Sequence, residues 1–217
     1  MRCRSPRSGR VSHDDRRVAR LLDAGPVVRQ VVDGLVGQTP IGSGTPPAAD
    51  LEGVIGDLTH LELVRLCDRG VDVTGIDLSP AMVEEARRLH PGIGFRVGDM
   101  FALDVQDSGF AGIVAFYSIV HLTADSLPPA FTEMRRVLRP GGTLLVAFHV
   151  GDEVLRPGEL WGVPITLDWT FFPLDVVVRA LGSVGFLVTD VREREPYEGV
   201  EHASRRAYVS AKRPDAG

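Results

Sequence analysis

The chain has 217 residues, 44% of them hydrophobic, and a formal net charge of −5. That length builds one sizeable core and leaves too little for two comfortable domains. The negative field repels polyanions and no basic patch is interleaved with aromatics, which argues against nucleic acid as a partner.

Taken in chain order, residues 1–12 are polar and patternless and are predicted to be a disordered tail. Arg2, Arg4, Arg7 and Arg10 are not followed by an apolar run, and no stretch approaches twenty apolar residues. A soluble, cytoplasmic protein that neither enters nor crosses a membrane is expected. The two cysteines, Cys3 and Cys67, lack the spacing of a zinc site and fit a reducing compartment. Lys212 is the one lysine among 24 basic residues, a bias associated with GC-rich bacterial genomes. Residues 13–47 carry apolar positions at helical spacing, interrupted at Pro26, and then a Pro/Gly-rich connection.

From residue 48 to 213 a more regular unit follows. A weakly supported strand at 48–51 precedes a helix from Leu58 to Arg69, closed by Gly70. VDVTGID (Val71 to Asp77) reads as a strand, and Ser79 with Pro80 as an N-cap and first helical position opening AMVEEARRLH. Ile93 to Val97 and AGIVAFY (Ala111 to Tyr117) are further strands. Leu127 to Leu138 is a helix stopped by RPGG, before the strand TLLVAFHV (Thr143 to Val150), apolar enough to be buried on both faces. A helix around residues 172–186 precedes two strands joined without a helix, predicted to form an antiparallel edge hairpin. The alternation of strands and helices predicts an α/β fold with a doubly wound, mostly parallel sheet.

In such a sheet, ligands bind beyond the carboxyl ends of the strands. Asp77, after the second predicted strand, suits the two hydroxyls of an adenosine ribose, whether in NAD or in S-adenosylmethionine; as a purely structural residue it would begin a capping turn. Asp99, in Val97-Gly98-Asp99-Met100, suits an adenine amino group with Met100 against the ring, or is an ordinary turn aspartate.

The segments GVDVTGIDLSPAMVEEARRLHPGIGFRVGDMFAL, FAGIVAFYSIVHL and FTEMRRVLRPGGTLLVAFHVGDE, in that order, resemble class I S-adenosylmethionine-dependent methyltransferases, closest to the small bacterial type 11 and type 25 domains. The resemblance covers about residues 50 to 213. It implies a Rossmann-like sheet of seven strands with the last antiparallel, S-adenosyl-L-methionine as cofactor, and a small-molecule methyl acceptor. It implies Asp77 as the ribose-binding acid with Leu78 lining the adenine, and Asp99 and Met100 as the adenine-contacting pair. Tyr117 and Ser118 would lie along the sulfonium and face the acceptor. Asp50, Gly53 and Gly56 would belong to the glycine motif, usually D-L-G-C-G-P-G.

That motif is altered here. Glu52 and Val54 replace two of its glycines, and a β-branched residue resists the positive φ that glycine accepts. The interval from Gly56 to Asp77 is about one helical turn longer than the family pattern. Methyl transfer is an in-line displacement that needs a base only if the acceptor must lose a proton. His121 is the first candidate for that base or for an acceptor contact, and His149 the second; either is alternatively a hydrogen-bonded structural histidine. Trp161, Trp169, Phe171 and Phe172 are candidates for an acceptor lid or for core packing. The leading reading is therefore a methyltransferase. A methyltransferase-like binding or regulatory protein is the alternative raised by Glu52 and Val54, and an NAD-dependent oxidoreductase is disfavoured because no GxGxxG precedes Asp77. Acceptor identity and oligomeric state are not encoded legibly.

Overall fold

A computed structural model describes residues 72–156, 158–160, 163–164, 166, 168–197 and 202–215. The readings made for residues 1–71, including Asp50, Gly53, Gly56 and the first strand, lie outside the described residues, as does that for Trp161.

Strand β1 (Thr74–Asp77) leads into helix α1 (Pro80–Leu89) and returns as β2 (Gly94–Val97), parallel to β1 with Asp77 beside Val97. The sequence signal for α1 is realised: the Ser79 hydroxyl accepts from the Met82 N–H at 3.4 Å, and Pro80 occupies the first turn, where its missing N–H costs nothing. Strand β3 (Phe110–Phe116) and helix α2 (Leu127–Val137) lead to β4 (Leu138–Val150), again a parallel crossover. Short pairs β5 (Val154–Leu155) with β8 (Trp169–Thr170) and β6 (Glu159–Leu160) with β7 (Val163–Pro164) form the insertion after β4. Helix α3 (Leu174–Ser183) and strands β9 (Leu187–Arg194) and β10 (Arg205–Lys212) complete the described chain.

The second sheet has the order β3-β4-β10-β9, with β10 antiparallel to both neighbours, so the final strand lies inside the sheet and β9 forms its edge. One boundary differs from the sequence expectation. RPGG does not separate α2 from a strand beginning at Thr143; β4 starts at Leu138, which pairs with Phe110, before the register shifts and Gly112 meets Thr143. The Gly141 N–H donates to the Arg213 carbonyl and the Arg213 N–H to the Gly142 carbonyl, extending the pairing through the glycines. Gly142 is held to its size: a β-carbon there would lie 2.8 Å from the Arg139 carbonyl oxygen.

Both faces of the central strands are covered. Ile113, Leu144, Val146 and Phe148 point into a cluster with α2 and α3, whereas Val114, Phe116, Leu145 and Ala147 join Val83 and Ala86 of α1 in a second. This period-two division explains why β3 and β4 read as unbroken apolar runs. Burial of each large apolar side chain is worth about 1.5–3 kcal/mol, so these two clusters hold the strand ends in place. The loop before β3 is fixed to α2 by Arg136, which donates to the carbonyls of Leu103 and Val105 and pairs with Glu133 and Asp107. Glu133 in turn accepts from the Leu103 N–H at 2.7 Å.

Candidate functional site

The first part of the site is a pair of acidic turns after β1 and β2. Asp77 is half-buried, and its Oδ1 accepts from the Ser79 N–H at 2.7 Å. The capping-turn role is therefore real, and it also orients the carboxylate. The Gly98 N–H donates to the Asp77 carbonyl at 2.9 Å, tying the second turn to the first. A β-carbon on Gly98 would stand 2.6 Å from Ile76 Cγ2, so glycine permits this close approach. Asp99 is exposed, and its Oδ1 accepts from the Phe101 N–H at 2.9 Å.

Apolar surface beside these acids comes partly from unanticipated residues. Leu78 is 53% exposed, and Val97 and Phe101 are 49% and 42% exposed. Met100 differs: it is buried in the core cluster with Ile76 and Leu103. The local sequence showed that Met100 follows the acid, but the turn directs its side chain inward and leaves Phe101 outward.

The second part follows β3. Tyr117 is buried with φ at +51°, a left-handed conformation that a bulky side chain adopts only under constraint. Its N–H donates to the Ala147 carbonyl at 2.7 Å, which supplies part of that constraint. Ser118 is fully buried and its hydroxyl donates to the Phe116 carbonyl at 3.3 Å, so it stabilises the strand end.

His121 lies in a 3-10 turn, Ile119–His121, that packs against β8. Its Nδ1–H donates to the Asp168 carbonyl at 3.0 Å, which leaves Nε2 as the acceptor nitrogen. Burial pushes its pKa below the ordinary histidine value, while the Asp168 carbonyl opposes the shift. His121 Nε2 and the indole N–H of Trp169 are buried and have no hydrogen-bond partner among the described residues. An acceptor and a donor are thus available on two segments that pack together.

His149, half-buried near the end of β4, gathers a cluster that motif reading did not assemble. Its ring lies 4.9 Å from Tyr117 and 4.9 Å from Phe171, nearly parallel to the latter at 20°. The Phe172 N–H donates to the His149 carbonyl, which returns the insertion to β4 and seats Phe171 on the imidazole. Phe172 itself is a core residue. His149 Nδ1 is 2.8 Å from the Ser204 hydroxyl, and His202 Nδ1 is 3.2 Å from the same oxygen. Buried Arg206 donates to the carbonyls of His202 and Ser204, fixing that turn at the entry to β10. Register accounts for the encounter, since Arg206 pairs directly with His149. The only advance signal was HASRR at the start of a strand whose partner the local sequence does not name.

Comparison with known proteins adds to this geometry. Residues 56–142 match the model of a methyltransferase domain. Malonyl-[acyl-carrier protein] O-methyltransferase of Serratia marcescens is 31% identical over 94 residues, covering 43% of this chain and 36% of that protein. Demethylmenaquinone methyltransferase of Beutenbergia cavernae is 37% identical over 82 residues, covering 38% and 33% respectively. The matched segment therefore spans about a third of these relatives' length. In fold, the chain is similar to a SAM-dependent methyltransferase from Methanosarcina mazei, with a TM-score of 0.66 at 16% identity over 92% of this chain and 97% of that one.

Proposed function

We propose that this chain, a member of the class I S-adenosylmethionine-dependent methyltransferase family, is an enzyme that transfers a methyl group from S-adenosyl-L-methionine to a small-molecule acceptor. The observation that carries the reading is the placement of Asp77 and Asp99 on linked turns at the carboxyl ends of adjacent parallel strands. The donor set fits the cofactor: an oriented carboxylate for ribose hydroxyls, a second acid for an amino group, and exposed Leu78 and Phe101 for a ring. Asp77, Leu78 and Asp99 would hold the nucleoside, with Phe101 taking the covering role first given to Met100. Asp50, Gly53 and Gly56 would meet the methionyl end.

Bound S-adenosylmethionine supplies an electrophilic methyl group on a sulfonium sulfur. The chain's own work is to align an acceptor with that group and keep water out. Tyr117, held at positive φ, and Ser118 would border the transfer position. His121, neutral and with Nε2 as an acceptor, would take a hydrogen bond from the acceptor molecule, and the Trp169 indole would donate one. The relatives are named for malonyl-[acyl-carrier protein] and demethylmenaquinone, which supports an acceptor outside the nucleic acids. No helix among the described residues is long and apolar enough to cross a membrane.

Isothermal titration with S-adenosylmethionine and S-adenosylhomocysteine, followed by methyl transfer to a panel of phenols, thiols, amines and carbon acids, tests the proposal. Saturable binding with turnover is expected; no binding of either nucleoside would sink it. A second reading, a binding protein without turnover, is favoured by Glu52 and Val54. Restoring glycine at both positions separates the two: a large gain in affinity supports a degenerate loop, and no change supports an adapted, working one.

A further inference from the structure

We propose that His121 Nε2 and the Trp169 indole N–H close on one acidic hydroxyl of the acceptor, so that the methyl group is delivered to a phenolic or enolic oxygen. The inference rests on the methyl-transfer reading above and names the acceptor class for it. The Asp168 carbonyl can only accept, so His121 carries its proton on Nδ1 and presents a lone pair on Nε2. That carbonyl belongs to the peptide leading into Trp169, which ties the imidazole to the residue bearing the indole. Both nitrogens are buried, and neither has a hydrogen-bond partner among the described residues. The pairing of Leu155 with Trp169 holds the indole's strand, and the indole packs against the cluster containing Val120 just before His121. A donor and an acceptor buried without partners are destabilising, and one bound group that pairs both removes that penalty. Because both atoms are covered, the acceptor enters when β8 lifts from the 3-10 turn; the exposed Arg156–Asp168 ion pair and the two-residue β5–β8 ladder resist that weakly.

A hydroxyl oxygen is the nucleophile that satisfies both nitrogens and still reacts. Its proton bonds Nε2, one lone pair accepts from the indole, and the second attacks the methyl carbon. A neutral amine has one lone pair, and using it on the methyl group leaves the indole unpaired. A thiol is weak both as donor and as acceptor, a carbon acid gives Nε2 only a C–H, and an ionised carboxylate brings no proton. Burial lowers the His121 pKa, so the ring is a weak base that suits an acidic hydroxyl and not an aliphatic alcohol. In the transfer the O–H bond breaks and its proton goes to His121 Nε2. The oxygen bonds the methyl carbon as the sulfur–methyl bond breaks, and sulfur keeps that bonding pair. The sulfonium charge is thus replaced by an imidazolium charge, and His121 releases the proton to water as the product leaves.

Nitrogen nuclear magnetic resonance of the full-length protein saturated with S-adenosylhomocysteine reads both contacts. Titration with a phenol should shift His121 Nε2 and the Trp169 indole N–H together, the latter assigned by its loss in Trp169→Phe. Ring-matched thiophenol, aniline and benzoate should move neither. A response at one nitrogen alone, or an equal response to the other ligands, overturns the shared hydroxyl. In turnover with S-adenosylmethionine the methyl group should appear on phenol oxygen. His121→Gln should lose about a hundredfold in kcat and Trp169→Phe about tenfold, both at the wild-type melting temperature. Methyl transfer to nitrogen, sulfur or carbon, unchanged kcat in both variants, or no phenol methylated by protein that binds the cofactor overturns the assignment. Failure to bind either nucleoside defeats the parent reading instead, and the paired shift with phenol alone then still decides the hydroxyl contact.

Discussion

The two acidic turns and the imidazole cluster are built in opposite ways. Asp77 and Asp99 are each oriented by a backbone N–H two residues away, on short turns set by the local sequence. His149 is placed by a ring from β3, a phenylalanine from the insertion and a hydroxyl from the entry to β10, the last 55 residues distant in sequence. On the proposed reading, cofactor recognition would come from local chain geometry and acceptor recognition from long-range packing. Sequence drift should therefore alter the second more easily than the first.

Several substitutions bear on this contrast. The largest effect is expected from Phe148→Ala, which empties a fully buried position beside His149 and should cost about 3–5 kcal/mol of unfolding free energy in a denaturant titration. Phe148 shares its cluster with Ile76 and Met100 beneath the two turns, so the loss should disturb those turns as well as its chain neighbour His149. Asp77→Ala acts on the cofactor side. Losing charge-assisted hydrogen bonds worth about 1.5–3 kcal/mol should weaken S-adenosylmethionine binding tenfold to a hundredfold in calorimetry, with the His149 resonances unchanged. Glu133→Ala tests the loop before β3: the Leu103 N–H loses its acceptor, and stability should fall by about 1–2 kcal/mol. Because hydrogen bonding to Arg136 holds the Glu133 carboxyl below its ordinary value, that contribution is present above pH of about 4.5 and is lost as pH falls through the lower folded value.

The smallest effect separates His121 from its surroundings. Its folded pKa is depressed by burial, so on acidification the unfolded chain takes up this proton first. Stability should start to fall as pH drops below about 6.5 and stop falling from this source once pH is below the folded value. His90, also lowered by burial, contributes in the same window. The decisive observation is therefore a shallower acid slope in His121→Gln than in the wild type, measured as melting temperature against pH.

The strands and caps were legible because their causes are local. Apolar runs in β3 and β4 mark burial on both faces, and Ser79-Pro80 marks a helix start. Legibility failed where side-chain direction or strand register decides the outcome. Met100 occupies the anticipated position but turns into the core, leaving Phe101 outside. RPGG carries breaker residues, yet pairing with Phe110 and Arg213 draws it into β4. Nothing in the local sequence singles out Ser204 or Arg206; their placement follows from the antiparallel register that sets Arg206 beside His149.

The most direct test of the central claim is calorimetric titration of S-adenosylmethionine into the full chain and its Asp77→Asn variant. The account predicts saturable binding by the wild type and at least about tenfold weaker binding by the variant at equal melting temperature. Wild-type protein that binds no S-adenosylmethionine, or a variant that binds it equally well, would contradict it.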